Sequence, residues 1–145
     1  MPIERSNIHP SVKIWHPELV NIYDAEIGEG TMIASFVEIG GAKIGRNCKI
    51  EAYAFIPSGV AIQDHVFIGP HVVFTNDKFP RADGQWQINP TVVEEGASIG
   101  ANSTILSGIR IGARSMVGAG SVVSTDVPPL TVAIGPKAEV RRTIH

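Results

Sequence analysis

Apolar residues recur every six positions through most of this chain. Ile44, Ile50, Ile56, Ile62, Ile68 and Phe74 form one run, and Val93, Ile99, Ile105, Ile111, Val117 and Val123 form a second. At the chain's apolar frequency of 43%, twelve consecutive hits arise by chance in roughly 4 of 100,000 trials before the choice of register is allowed for. A shorter run, Ile27, Ile33 and Ile39, keeps the same beat and slips by one residue at Gly40-Gly41. Residues 1 to 26 fit it poorly and are expected to form a capping coil.

A period of six matches neither the 3.6 of a helix nor the 2 of a long strand. It suits short strands joined by tight corners, with one branched residue per strand pointing inward. Gly28, Gly45, Gly100, Gly112 and Gly118 directly follow that inward residue. Three strands close one triangular coil, and residues 18 apart then stack about 4.8 Å apart through parallel-sheet hydrogen bonds. The expected fold is an all-β, left-handed parallel β-helix, whose crossover hand is an exception to the usual right-handed rule. A β-sandwich would instead show turn signals every 8 to 12 residues, about one per strand, and plain alternation. With 145 residues, the chain reads as one domain spanning 1–145, with a loop at 75–90 and a C-terminal extension at 127–145.

Composition narrows the function classes. A net charge of -2 supplies no overall field for nucleic acid or an anionic membrane. No apolar run approaches the roughly 20 residues that span a bilayer. Cys48 is the sole cysteine, so no intramolecular disulfide can form, in keeping with a reducing, cytoplasmic setting. Its thiol reads as inert packing.

The I-G-x-x-x-x units, the segment "VGAGSVVSTDVPP" and the close "GPKAEVRR" together resemble the hexapeptide-repeat acyltransferases over almost the whole chain. Within that family, "IGPHVVFTNDKFPRA" is similar to a segment of the N-acetyltransferases that modify amino groups of nucleotide-linked dideoxy sugars for bacterial surface polysaccharides. The resemblance implies a homotrimer, acetyl-CoA as donor, and active sites between neighbouring subunits; no metal is expected. It also places Glu51 where the family's site glutamine lies. The family's Gln-Asn-Asn run is here Glu51, Ala52 and Tyr53, and its closing Gly-x-Pro-Ala-Lys is Gly135 to Glu139 in another order. In the galactoside and maltose O-acetyltransferases the loop segment ends in His-Pro. Phe79 and Pro80 stand here, which argues for an amine acceptor.

The rhythm breaks after Phe74. Loops of this length inside a compact domain are usually functional, and Pro80 and Pro90 keep the segment from adding ladder strands. Asn76 and Asp77 leave the helix two and three residues past Phe74, as Ser107 and Gly108 do past Ile105 one coil on. Small residues let an extended thioester arm approach the backbone, so Ser107, Gly108, Ala119 and Gly120 are candidate donor contacts. Asn76 and Asp77 are candidates to orient the amine, although both types also favour corners for backbone reasons. His71 is a candidate general base. Lys137, Arg141 and Arg142 offer positive charge to the CoA phosphates. Outward Val37, Val60 and Val72 are expected to supply the apolar trimer surface.

Two other function classes stay open. One is a non-enzymatic scaffold that uses the helix only to assemble. The other is a γ-type carbonic-anhydrase-like zinc enzyme, suggested by His65 and His71 but lacking a convincing third ligand.

Overall fold

The computed structural model describes residues 2–136, 138–140 and 142. Among them are twenty short strands and one 3-10 turn, Pro17–Leu19. The strands form three parallel sheets of seven, six and seven members in which every third strand is a hydrogen-bonded neighbour. This is the left-handed parallel β-helix expected from the period, with about seven coils.

The three faces follow the sixfold count. Ile44, Ile62, Val93 and Ile111 align on the first. Ile50, Ile68, Ile99 and Val117 align on the second. Ile56, Phe74, Ile105 and Val123 lie on the third. These side chains fill the axis, and Ile56, Ile68, Phe74, Ile99, Ile105 and Ile111 are fully buried. Each such burial contributes about 1.5–3 kcal/mol relative to exposure.

Three details differ from the sequence reading or refine it. Val37, Val60 and Val72 are buried, not outward. They precede inward Ile39, Ile62 and Phe74 by two residues, so strand alternation points both members of each pair into the core. The outward apolar residues are instead Phe55, Val73 and Val122 on the third face and Phe67, Met116 and Val132 on the second. At the N-terminus, Ile3, Ile8 and Ile14 pair with Ile22, Ile27 and Ile33. The early residues thus make a full coil of the same stack, and the 3-10 turn takes up the surplus residues that hide its rhythm. At the other end, Val127 bridges to Ile111 and Val132–Ala133 pairs with Met116–Val117. Part of the segment read as an extension therefore belongs to the last coil.

The glycines after the inward residues serve close approach. A Cβ on Gly100 would lie 2.6 Å from the backbone nitrogen of Ala119 on the next coil, so even Ala at this position would push the coils apart. Hydroxyls inside the stack satisfy nearby carbonyls: Thr31 Oγ1 donates to Gly45 O at 2.8 Å and Ser115 Oγ to Gly112 O at 2.7 Å. Cys48 is buried, its Sγ donates to Gln63 O at 3.1 Å, and burial pushes its thiol pKa up. Packing accounts for it, since a protonated, enclosed thiol is a poor nucleophile.

Candidate active site

The chain leaves the third face after Val73–Phe74 and rejoins the first at Thr91–Val93. Both ends of the excursion are tied to the stack. Thr75 N donates to Ile105 O of the next coil at 3.0 Å, and Thr91 N donates to Gly59 O of the preceding coil at 3.0 Å. Across the neck, Asn89 N donates to Asn76 O at 2.8 Å. Lys78 N donates to the Asn89 side-chain oxygen at 3.2 Å.

Those ties assign work to the Asn-Asp pair. The Asn76 side-chain amide donates to Ser58 O at 2.9 Å, so Asn76 anchors the loop. Asp77 Oδ1 accepts from Phe79 N at 3.0 Å, an Asx-type turn that shapes the loop locally. This turn occupies one carboxylate oxygen and leaves the second as the group able to meet a substrate.

A groove of about 220 Å³ runs along this corner. It brings Asp77 together with Ser107 and Gly108, as their matching offsets from Phe74 and Ile105 imply. Gly108 has a φ of +77°, and a Cβ there would touch only Asn89 Cβ, at 3.7 Å. The left-handed backbone, not crowding, favours glycine here. Gly108 N donates to Thr91 Oγ1 at 3.1 Å, which ties the groove floor to the loop's return.

Other candidate residues fall elsewhere. Ala119 and Gly120 are exposed at the corner between the second and third faces, one strand away from the groove; a Cβ on Gly120 would meet nothing within 4 Å. His71 and Glu51 lie at that corner too, on lower coils. The His71 ring stacks on Tyr53 with centroids 4.6 Å apart, and Tyr53 stacks on Phe36 at 4.9 Å. His71 thus sits at the opposite end of the Val73–Phe74 strand from the loop and lines neither groove beside Asp77. Glu51 lines a separate hollow with Trp15 and Lys49. Lys137 and Arg141 lie outside the described residues. His65 occupies the corner between the first and second faces, so it and His71 do not converge within one chain.

Sequence reasoning missed Thr75, Lys78, Ser124, Thr125 and Asp126 in the groove lining. A signal for the last three was available. Thr104 pairs with Val122, and the same register carries Leu106, Ser107 and Gly108 onto Ser124, Thr125 and Asp126. Of these, Asp126 is already engaged, since its Oδ1 accepts from Arg110 N at 2.9 Å.

A second hollow, about 440 Å³, opens on the other side of Asp77 over the outer surface of the third face. The two share Thr75, Asp77, Lys78 and Leu106. A carboxylate standing between two adjoining spaces is the arrangement a two-substrate transfer needs, one space for each reactant.

The bacterial transferase hexapeptide family (six repeats) matches residues 41–76 and 90–125. The hexapeptide repeat of succinyl-transferase matches residues 25–56. The galactoside O-acetyltransferase of Lactococcus lactis is 30% identical over 139 residues, covering 88% of this chain and 67% of the relative. The chain therefore belongs to the hexapeptide-repeat acyltransferase family. The bifunctional protein GlmU of Thermotoga petrophila is 35% identical over 122 residues, covering 80% of this chain; the chain spans about a quarter of that relative, 26%. Among solved structures, a mutant of AntD, an N-acyltransferase from Bacillus cereus in complex with dTDP and coenzyme A, shares the fold. Its TM-score is 0.69 at 21% identity, covering 94% of this chain and 82% of that one. Among the described residues no helix is long and apolar enough to cross a membrane.

Proposed function

We propose that this protein is an acetyl-CoA-dependent N-acetyltransferase acting on an amino group of a nucleotide-linked amino sugar. The observation that carries this reading is the corner groove in which Asp77 meets Ser107 and Gly108. Family membership supports acyl transfer, and the nucleotide and coenzyme A named for AntD agree with this pair of substrates. The site belongs to a cyclic homotrimer, in which heterologous contacts set one corner of a subunit against a different corner of the next. Ala119, Gly120, His71 and Glu51 would then flank the groove from the neighbouring subunit. Lys137, Arg141 and Arg142 are assigned to the CoA phosphates on charge. A role in surface polysaccharide synthesis, in the cytoplasm, completes the proposal.

In the reaction the amine nitrogen attacks the thioester carbonyl carbon. The C–N bond forms, the C–S bond breaks, and the amine loses one proton. Asp77 accepts that proton or the hydrogen bond that aligns it, and the departing thiolate recovers a proton to leave as the free thiol of CoA. An amine is a strong enough nucleophile for orientation and desolvation to suffice, whereas a hydroxyl needs a base. O-acetylation is the second reading, favoured by the Lactococcus lactis relative. Against it, Phe79 and Pro80 stand where the O-acetyltransferases carry His-Pro, and among the described residues no histidine of the same chain lines either hollow beside Asp77. Thiol release from acetyl-CoA, measured over a panel of amino-sugar nucleotides and the matching hydroxyl sugars, tests both. Release with the amines alone is the expected result, and release with only the hydroxyl sugars overturns the reading.

A further inference from the structure

The larger hollow has a chemical polarity of its own. Phe55 and Leu106 supply an apolar floor, and Trp86 from the loop forms a wall with 62% of its surface exposed. Asp77 stands at one edge, and the two loop cations, Lys78 and Arg81, also line it. Neither cation is in an ion pair among the described residues, although Lys78 Nζ lies 5.8 Å from the centre of the Phe79 ring. Asp83, the other acid of the loop, does not line the space.

Each part favours a different portion of one ligand. A carboxylate attracts an ammonium group or orients an amine. Exposed indole and phenyl faces pack against flat or ring-shaped bodies. A guanidinium beside an ammonium pairs with phosphate oxygens, the guanidinium in bidentate fashion. An acceptor spanning the hollow would carry its amine at Asp77, a ring against Trp86 and Phe55, and an anion at Arg81 and Lys78.

We infer that this hollow is the acceptor pocket and that it selects a phosphorylated amino sugar, with Arg81 and Lys78 binding the phosphate and Trp86 covering the ring. The inference rests on reading Asp77 as the acyl-transfer centre, but its test does not depend on turnover. The phosphate can belong to a simple sugar phosphate or to a nucleoside diphosphate, and the two sources are separated by experiment.

Trp15 and Trp86 are the chain's two tryptophans, and Trp15 lines a different hollow. In full-length Trp15→Phe protein, Trp86 fluorescence therefore reports on the pocket alone. Titration uses glucosamine, glucosamine 1-phosphate and UDP-glucosamine, without acetyl-CoA. Saturable quenching by one or both phosphorylated amines, at least about 10-fold tighter than by glucosamine, is expected. Preference for UDP-glucosamine over glucosamine 1-phosphate identifies the nucleotide as part of the ligand, and equal affinity identifies the sugar phosphate as sufficient. Arg81→Gln and Lys78→Gln should each abolish most of the phosphate preference while leaving the melting temperature unchanged, and Arg81→Gln, which alters a residue lining only the larger hollow, should also leave acetyl-CoA affinity unchanged. Equal affinity for all three compounds, or a phosphate preference that survives both substitutions, overturns the pocket assignment. Arg81-dependent binding with no acetyl transfer upholds the pocket and refutes the transfer reading instead.

Discussion

The coil stack and the excursion at 75–90 are ordered by different means. In the stack, Phe74 and Ile105 are fully buried and pair directly across neighbouring coils, and the same contact repeats above and below them. In the excursion, Phe79 is 78% exposed and Trp86 62%. A few polar ties, centred on Asn76, Asp77 and Asn89, hold its ends. Repetition of one packing unit gives a rigid rail, and interruption of the repeat places variable side chains beside that rail. Scaffold and chemistry can therefore vary independently.

The comparison breaks most visibly at Phe74, where the two regions meet. Phe74→Ala leaves a void on the axis and should destabilise the protein by about 3–5 kcal/mol, measured by denaturant unfolding. A loss under about 1 kcal/mol would mean that the stack tolerates voids that a close-packed core does not. Next in size is Asp77→Asn, which keeps an oxygen to accept the Phe79 N–H but removes the charge. Turnover should fall about 100-fold, the scale of losing a positioned acid-base or electrostatic group, with an unchanged melting temperature. Retained kcat would restrict Asp77 to turn formation.

Asn76→Ala sharpens the contrast between anchoring and chemistry. Losing the bond to Ser58 O leaves a partly buried carbonyl without its donor, at about 1 kcal/mol. The loop should loosen, with a loss of about 10-fold in kcat/KM carried mainly by KM and faster proteolysis within 75–90. A 100-fold loss confined to kcat would instead return Asn76 to the reacting groups. The smallest effect is expected of His71→Ala, which removes one ring from an exposed stack worth about 0.5–1.5 kcal/mol and should leave kcat/KM within about threefold of the parent. Loss of activity here with Asp77→Asn active would reverse the mechanism. Cys48 supplies a control for the stack: its buried thiol should resist alkylation in the folded protein and react once denaturant opens the coils.

The sequence alone determined the architecture, because each inward residue recurs at a fixed interval and burial is the dominant force that a six-residue interval can record. Counting from Phe74 and Ile105 also brought Asp77 opposite Ser107 and Gly108, since register in a regular stack is arithmetic. What the count could not supply was direction and engagement. Val37, Val60 and Val72 turn inward because strands alternate, and the slip at Gly40-Gly41 and the turn at Pro17–Leu19 are absorbed at corners that carry no repeat. Only the tertiary structure decided that the Asn76 amide nitrogen is tied to Ser58 O, that His71 stacks on Tyr53 at another corner, and that Trp86, Lys78 and Arg81 share a hollow with Asp77. Those outcomes depend on how an aperiodic loop folds back over its own scaffold, where a few hydrogen bonds between distant residues outweigh any local pattern.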